Sequence, residues 1–155
     1  MTQSALVRIM RTPESDQAMM LPKYESLGAS GIDLRANIPG EELVVIPALE
    51  HRIIPTGLCF EIPLGFEGQV RPRSGLAAKS AVTVLNTPGT IDCDYRGEVK
   101  VILYNANPHK NFTVNHGLRV AQMVFAPVER VRLFEAVDLS ETARGEGHFG
   151  STGVS

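Results

Sequence analysis

Two cysteines in 155 residues, Cys59 and Cys93, are too few for a disulfide framework or for the thiolate set of a structural zinc site. Cys59 lies in the apolar run Gly57-Leu-Cys-Phe-Glu-Ile62, where a buried free thiol is expected. Charge of one sign is equally scarce. A net charge of -2 excludes the strong basic excess of a nucleic-acid backbone binder, so any anion must be held by a few local cations. No stretch approaches the roughly 18 consecutive apolar residues of a membrane span. Met1-Thr-Gln-Ser-Ala-Leu-Val-Arg-Ile-Met10 also lacks the basic-then-apolar pattern of a secretory leader. These absences predict a cytoplasmic protein in a reducing setting, with no membrane and no nucleic-acid partner. Internal repeats and interdomain linkers are missing as well, and the length suits one domain, since domains most often run about 100 to 150 residues.

What is present is a rhythm of short apolar runs. Strands are expected over 5–10, 43–46, 51–54, 58–62, 68–71, 82–85, 98–105 and 112–115, with a final longer run over 119–137. Turn chemistry at Pro39-Gly40, Pro47, Pro55, Pro63-Leu-Gly65, Pro88-Gly89, Asn107-Pro108 and His116-Gly117 separates them. The fold class is therefore mainly β, a sandwich, jelly roll or barrel. One short helix is expected over Ser74-Gly-Leu-Ala-Ala-Lys79, with Ser74 as its N-cap. A body over 1–139 is followed by a glycine-rich C-terminal arm over 140–155, expected to be mobile by itself and part of the same domain.

Thr87-Pro-Gly-Thr-Ile-Asp-Cys-Asp-Tyr-Arg-Gly-Glu98 reads as a hairpin feeding the strand Val99-Lys-Val-Ile-Leu-Tyr-Asn105. It sets Asp92, Asp94 and Tyr95 on a tightly held segment, although a turn with solvated acids has the same composition. Three other segments carry complementary chemistry. Asp33, in Ala29-Ser-Gly-Ile-Asp-Leu-Arg-Ala36, sits at a strand start; it is either a surface acid or an anchor for the waters of a hydrated Mg²⁺. Arg71-Pro-Arg-Ser-Gly-Leu-Ala77 joins a bidentate guanidinium, Arg73, to a helix start where anions are favoured. Arg144-Gly-Glu-Gly-His-Phe-Gly-Ser-Thr-Gly153 offers a cation, a stacking ring and backbone donors.

In order, Ser30-Gly-Ile-Asp-Leu-Arg-Ala36, Pro72-Arg-Ser-Gly-Leu-Ala77, the stretch from Asn86 to Glu98, Gly117-Leu-Arg-Val-Ala-Gln-Met123 and the Arg144 to Gly153 arm resemble the five motifs of the homotrimeric deoxyuridine triphosphatases, the dUTPases. The resemblance covers nearly the whole chain. It implies a jelly-roll-like β fold and Mg²⁺-dependent hydrolysis of dUTP to dUMP and pyrophosphate, which supplies a dTMP precursor and keeps uracil out of DNA. It further implies a homotrimer with active sites shared at subunit boundaries, each closed by an arm.

Carried over to this chain, the resemblance makes Asp92 the catalytic base, with Asn86 and the backbone of Thr90, Ile91 and Asp92 reading the uracil edge. Tyr95 would lie under the deoxyribose and exclude a 2'-hydroxyl, and Lys100 matches a position near the nucleoside. Arg73, Ser74, Gly75 and Gln122 would hold the phosphates, with Asp33 reaching the metal through water. Phe149 would cover the base while Arg144, Gly150, Ser151 and Thr152 close on the terminal phosphates. One departure is His148, which stands where the family's arm usually has another glycine. Two rivals are a dCTP deaminase of the same fold and a non-catalytic nucleotide-binding trimer. Tyr95 and the arm speak against the first, and Asp92 against the second.

Overall fold

The computed structural model describes residues 5–40, 43–143 and 145–146. Ten strands and one helix follow in the order β1 (Arg8–Arg11), β2 (Gly31–Arg35), β3 (Val44–Ile46), β4 (His51–Glu61), β5 (Phe66–Arg71), α1 (Ser74–Ser80), β6 (Val82–Val84), β7 (Gly89–Ile91), β8 (Glu98–Asn105), β9 (Phe112–Val114) and β10 (Arg119–Pro127). They form a four-stranded sheet ordered β1-β4-β8-β6, a second ordered β2-β10-β5-β7, and the pair β3-β9. The expected mainly-β fold with one short helix is what the chain adopts.

Strict alternation builds β8: Val99, Val101, Leu103 and Asn105 point inward with no exposure, while Lys100 faces out. Leu34, Ile54, Phe60, Val82, Val120 and Met123 complete the interior from both sheets, and Phe60 meets Phe125 at a ring separation of 6.4 Å. Each such fully buried aliphatic or aromatic side chain contributes about 1.5–3 kcal/mol of transfer free energy. Cys59 is buried and unpaired, as expected, and burial raises its thiol pKa, with Glu98 adding to the effect. Among the described residues no helix is long and apolar enough to cross a membrane.

Four expectations need correction. The runs 51–54 and 58–62 are one strand, β4, because a bulge absorbs the breaker residues: the register with β8 shifts between Pro55 and Cys59. There Gly57 takes φ 69°, and the Thr56 hydroxyl donates to the Val99 carbonyl at 2.6 Å. The long run 119–137 stops at Pro127, since the segment beyond is apolar in places but has no partner strand among the described residues. The stretch 87–98 is no hairpin, because β7 pairs with β5 in one sheet and β8 with β4 and β6 in the other. Its turns carry the chain between sheets. Finally, Arg73 and not Ser74 is the N-cap of α1; it has extended backbone (φ -92°, ψ 126°) and no side-chain cap bond, so Ser74 is the first helical residue.

Candidate active site

The phosphate-type residues gather at one corner of the second sheet. Gln122 on β10 is the register partner of both Asp33 on β2 and Arg71 on β5. As the chain leaves β5, the Gln122 side-chain amide donates to the Pro72 carbonyl at 2.9 Å, which fixes the path into α1. Arg73 then turns back, and its Nε donates to Asp33 Oδ1 at 2.9 Å. Arg119 Nη1 takes the other oxygen, Oδ2, at 3.0 Å. Two guanidinium groups therefore share one carboxylate, and the corner keeps a net positive charge. Helix α1 has only 7 residues, too short to supply much dipole, but Ser74 and Gly75 are exposed at its start. Their N–H groups precede the first intrahelical donor, Leu76 N–H, and are open to an anion.

Arg119 is the member of this corner that sequence reasoning missed. Side chains alternate along a strand, so residues three apart, such as Arg119 and Gln122, should point to opposite faces. The register shift between Arg119 and Ala121 cancels that parity and lets Val120 and Ala121 both be buried. A charged residue followed by two small apolar ones was the available signal.

The second group lies along β7 and β8. Asp92, Tyr95 and Lys100 line one cavity of about 460 Å³, with Thr90, Ile91 and Glu98. The turn that carries them is tied down: Tyr95 N–H donates to the Asp92 carbonyl at 3.1 Å, and Arg96 Nη1 donates to the carbonyls of Cys93 at 2.7 Å and Tyr95 at 3.0 Å. The Tyr95 hydroxyl donates to the Glu98 carbonyl at 3.0 Å. The Glu98 carboxylate accepts from Gly57 N–H at 2.8 Å and lies 3.5 Å from Lys100 Nζ, so one acid steadies both the β4 bulge and the cavity's cation. Asn86 is not in this cavity wall. It lies over Gly89, where a Cβ would come within 3.1 Å of its Nδ2.

The two groups are not brought together within the chain. None of Asp33, Arg73, Ser74, Gly75 or Gln122 lines the Asp92 cavity. Ile91 pairs with Gly68, which sets Asp92 level with Glu67, and Arg71 is further along the same strand. Four residues of β-strand span roughly 13 Å. Arg144, Phe149, Gly150, Ser151 and Thr152, together with His148, lie outside the described residues.

As to a metal, no three His, Cys, Asp or Glu among the described residues are arranged to hold one. A resident cage is therefore not what these donors fit. They do fit an ion that arrives on a polyphosphate and keeps its waters, because each Asp33 oxygen retains a second lone pair beside its guanidinium partner.

The dUTPase family model matches residues 17–153. The chain belongs to the dUTPase family. A deoxyuridine 5'-triphosphate nucleotidohydrolase of Rhizobium etli (strain CIAT 652) is 56% identical over 138 residues, covering 89% of this chain and 88% of that one. The enzyme of the same name from Rhizobium meliloti (strain 1021) is 54% identical over 146 residues, covering 94% and 90%. Among solved structures, the Staphylococcus bacteriophage 80alpha dUTPase with dUPNHPP superposes with a TM-score of 0.85 at 22% identity, covering 97% of this chain and 100% of that one. A mutant dUTPase of S. aureus phage phi11, described with a structural Mg(II) ion, gives a TM-score of 0.73 at 20% identity, covering 86% and 97%. These structural likenesses give the dUTPase-like fold.

Proposed function

We propose that the protein is a dUTP diphosphatase that hydrolyses dUTP to dUMP and pyrophosphate, with Asp92 as general base. The observation that carries this reading is that Asp92, Tyr95 and Lys100 line one cavity, in a chain more than half identical to curated dUTP hydrolases. Strand β7 is the edge of its sheet, so the backbone of Thr90, Ile91 and Asp92 has one side open to pair with the uracil edge as another strand would. Asn86 completes that recognition from above Gly89. Tyr95 excludes a 2'-hydroxyl by occupying its space. Asp92 takes the proton from water attacking the α-phosphorus, and pyrophosphate leaves.

Arg73, Ser74, Gly75, Gln122 and Arg119 hold the phosphate chain, where pre-placed donors stabilise charge that develops in the transition state. Asp33 would hold a hydrated Mg²⁺ through water, and the ion would supply charge neutralisation on the phosphoryl oxygens. The separation of the corner from the Asp92 cavity supports a homotrimer in which each site takes its nucleoside wall and its phosphate corner from different chains. The segment 128–143 supports the same reading, being exposed throughout. The arm, with Arg144, Phe149, Gly150, Ser151 and Thr152, closes the site by covering the base and the terminal phosphates.

Pyrophosphate release from dUTP tests both parts at once. Asp92→Asn should lower kcat by about a hundred- to ten-thousand-fold, and Arg73→Ala should be severely impaired. Co-assembled from equal amounts, the two variants should regain about a quarter of wild-type activity, because random assortment of chains leaves that share of sites with both residues intact. No release from dUTP by the wild type would sink the activity; release without recovery on mixing would sink the shared site.

A further inference from the structure

The Tyr95 ring has a seat, made by Gly97 just before β8 and by Glu98, the first residue of that strand. A Cβ added at Gly97 would lie 2.5 Å from the Tyr95 hydroxyl oxygen, 2.7 Å from Cζ and 3.0 Å from Cε2. The ring therefore rests on the bare Cα of Gly97, closer than any side chain would allow. The tip of the ring is tethered by its O–H to the carbonyl of Glu98 at 3.0 Å. Gly97 does not have the positive φ that would itself demand glycine. Its Cβ-free surface is what the local geometry uses. Both contacts act on the edge of a ring that is 43% exposed.

We infer that Gly97 and the Glu98 carbonyl are a specificity-positioning pair that holds the Tyr95 ring where it rejects ribonucleotides. The inference rests on the reading of Tyr95 as the sugar discriminator and adds what makes that discriminator rigid. A ring free to swing yields to a 2'-hydroxyl; a ring pinned between a missing Cβ and a carbonyl does not. In Gly97→Ala the backbone can keep its conformation and the side chain of Tyr95, being the flexible partner, must move. The effect then appears in sugar selectivity.

The experiment is the ratio of kcat/KM for dUTP to that for UTP, measured by pyrophosphate release in wild type, Gly97→Ala, Tyr95→Phe, Tyr95→Ala and Gly97→Ala/Tyr95→Ala. Displacing a steric wall by about a methyl group should lower the ratio in Gly97→Ala about tenfold or more. Losing one neutral hydrogen bond in Tyr95→Phe should lower it about two- to tenfold. In the Tyr95→Ala background the Gly97 substitution should leave the ratio unchanged, because there is no ring left to displace. That background also serves as the folding control. A wild-type ratio in Gly97→Ala beside a lowered ratio in Tyr95→Ala overturns the inference while leaving Tyr95 as discriminator. An equal drop from Gly97→Ala in both backgrounds overturns it too, since Gly97 would then act without the ring. An unchanged ratio in Tyr95→Phe removes the Glu98 tether. If Tyr95→Ala itself keeps the wild-type ratio, the discriminator falls and this inference falls with it.

Discussion

Replacing Asp33 by Asn is the sharpest test of the phosphate corner, because it removes one charge from between two others and changes little else. Asp33 accepts from Arg73 Nε at 2.9 Å and from Arg119 Nη1 at 3.0 Å, with its own side chain 18% exposed. A hydrogen bond to a charged group is worth about 1.5–3 kcal/mol when shielded, and an exposed ion pair about 0–1 kcal/mol. The Arg73 side chain, 30% exposed, belongs nearer the first figure and Arg119, 39% exposed, nearer the second. Asn keeps one acceptor but turns an NH₂ toward the other guanidinium. The loss should be about 2–3 kcal/mol, which for a chain of this size corresponds to a Tm lower by roughly 5–10 °C at fixed protein concentration. Calorimetric or fluorescence melting reads this directly. Inorganic pyrophosphate without added metal provides the second arm: it should raise the Tm of Asp33→Asn more than that of wild type, since it replaces the missing negative charge. A Tm within about 1 °C of wild type, or equal protection by pyrophosphate in both, would refute Asp33 as the counter-charge of the corner.

Two further predictions concern the frame. Asp16 has its pKa lowered by the Ala18 backbone N–H and the His116 side chain, which lies 3.1 Å away. A depressed folded pKa gives stability that is present above the unfolded value, near 3.8, and is lost as pH falls through the folded one. The Tm difference between wild type and Asp16→Asn should therefore shrink to zero below that pH; a difference constant down to the acid limit would contradict it. Asn105 is fully buried, its Nδ2 donating to the carbonyls of Ile46, Pro47 and Lys110 at 3.1, 3.2 and 2.8 Å. Asn105→Ala orphans these groups and should cost about 3 kcal/mol or more by urea unfolding, and a loss under about 1 kcal/mol would show that water replaces the side chain without penalty.

Periodicity made β8 legible, since Val99, Val101 and Leu103 bury in strict alternation and no breaker interrupts them. It divided β4 because Pro55 and Gly57 are turn residues wherever a bulge does not absorb them, and a bulge depends on the partner strand. The same dependence explains Arg119, whose side of β10 is decided by a register shift that periodicity cannot see. Asp33 was legible as an acid in a small-residue setting, but its guanidinium partners come from 40 and 86 residues away in sequence. Pairing over such separations is set by sheet order, which local pattern does not encode. The proposed nucleoside wall is contiguous: Thr90 to Lys100 lie in one stretch, and the structure sets Thr90, Asp92, Tyr95 and Lys100 in one cavity wall.

The run expected as strand over 128–137 failed for a reason that bears on assembly. Val131, Leu133, Phe134, Val137 and Leu139 are 72, 93, 86, 106 and 89% exposed, an apolar series with no strand beside it among the described residues. Among the described residues, the last backbone hydrogen bond to the body is Val128 N–H donating to the Gly65 carbonyl at 2.9 Å. Covering such side chains is worth about 1.5–3 kcal/mol each, so these five together could supply on the order of 10 kcal/mol. Lost translational and rotational freedom on association costs an estimated 4–15 kcal/mol, so this segment alone could offset much of the cost of joining a second copy. None of these five side chains belongs to the core that the described residues form. In the proposed trimer, folding of the body and joining of copies would thus draw on different residues.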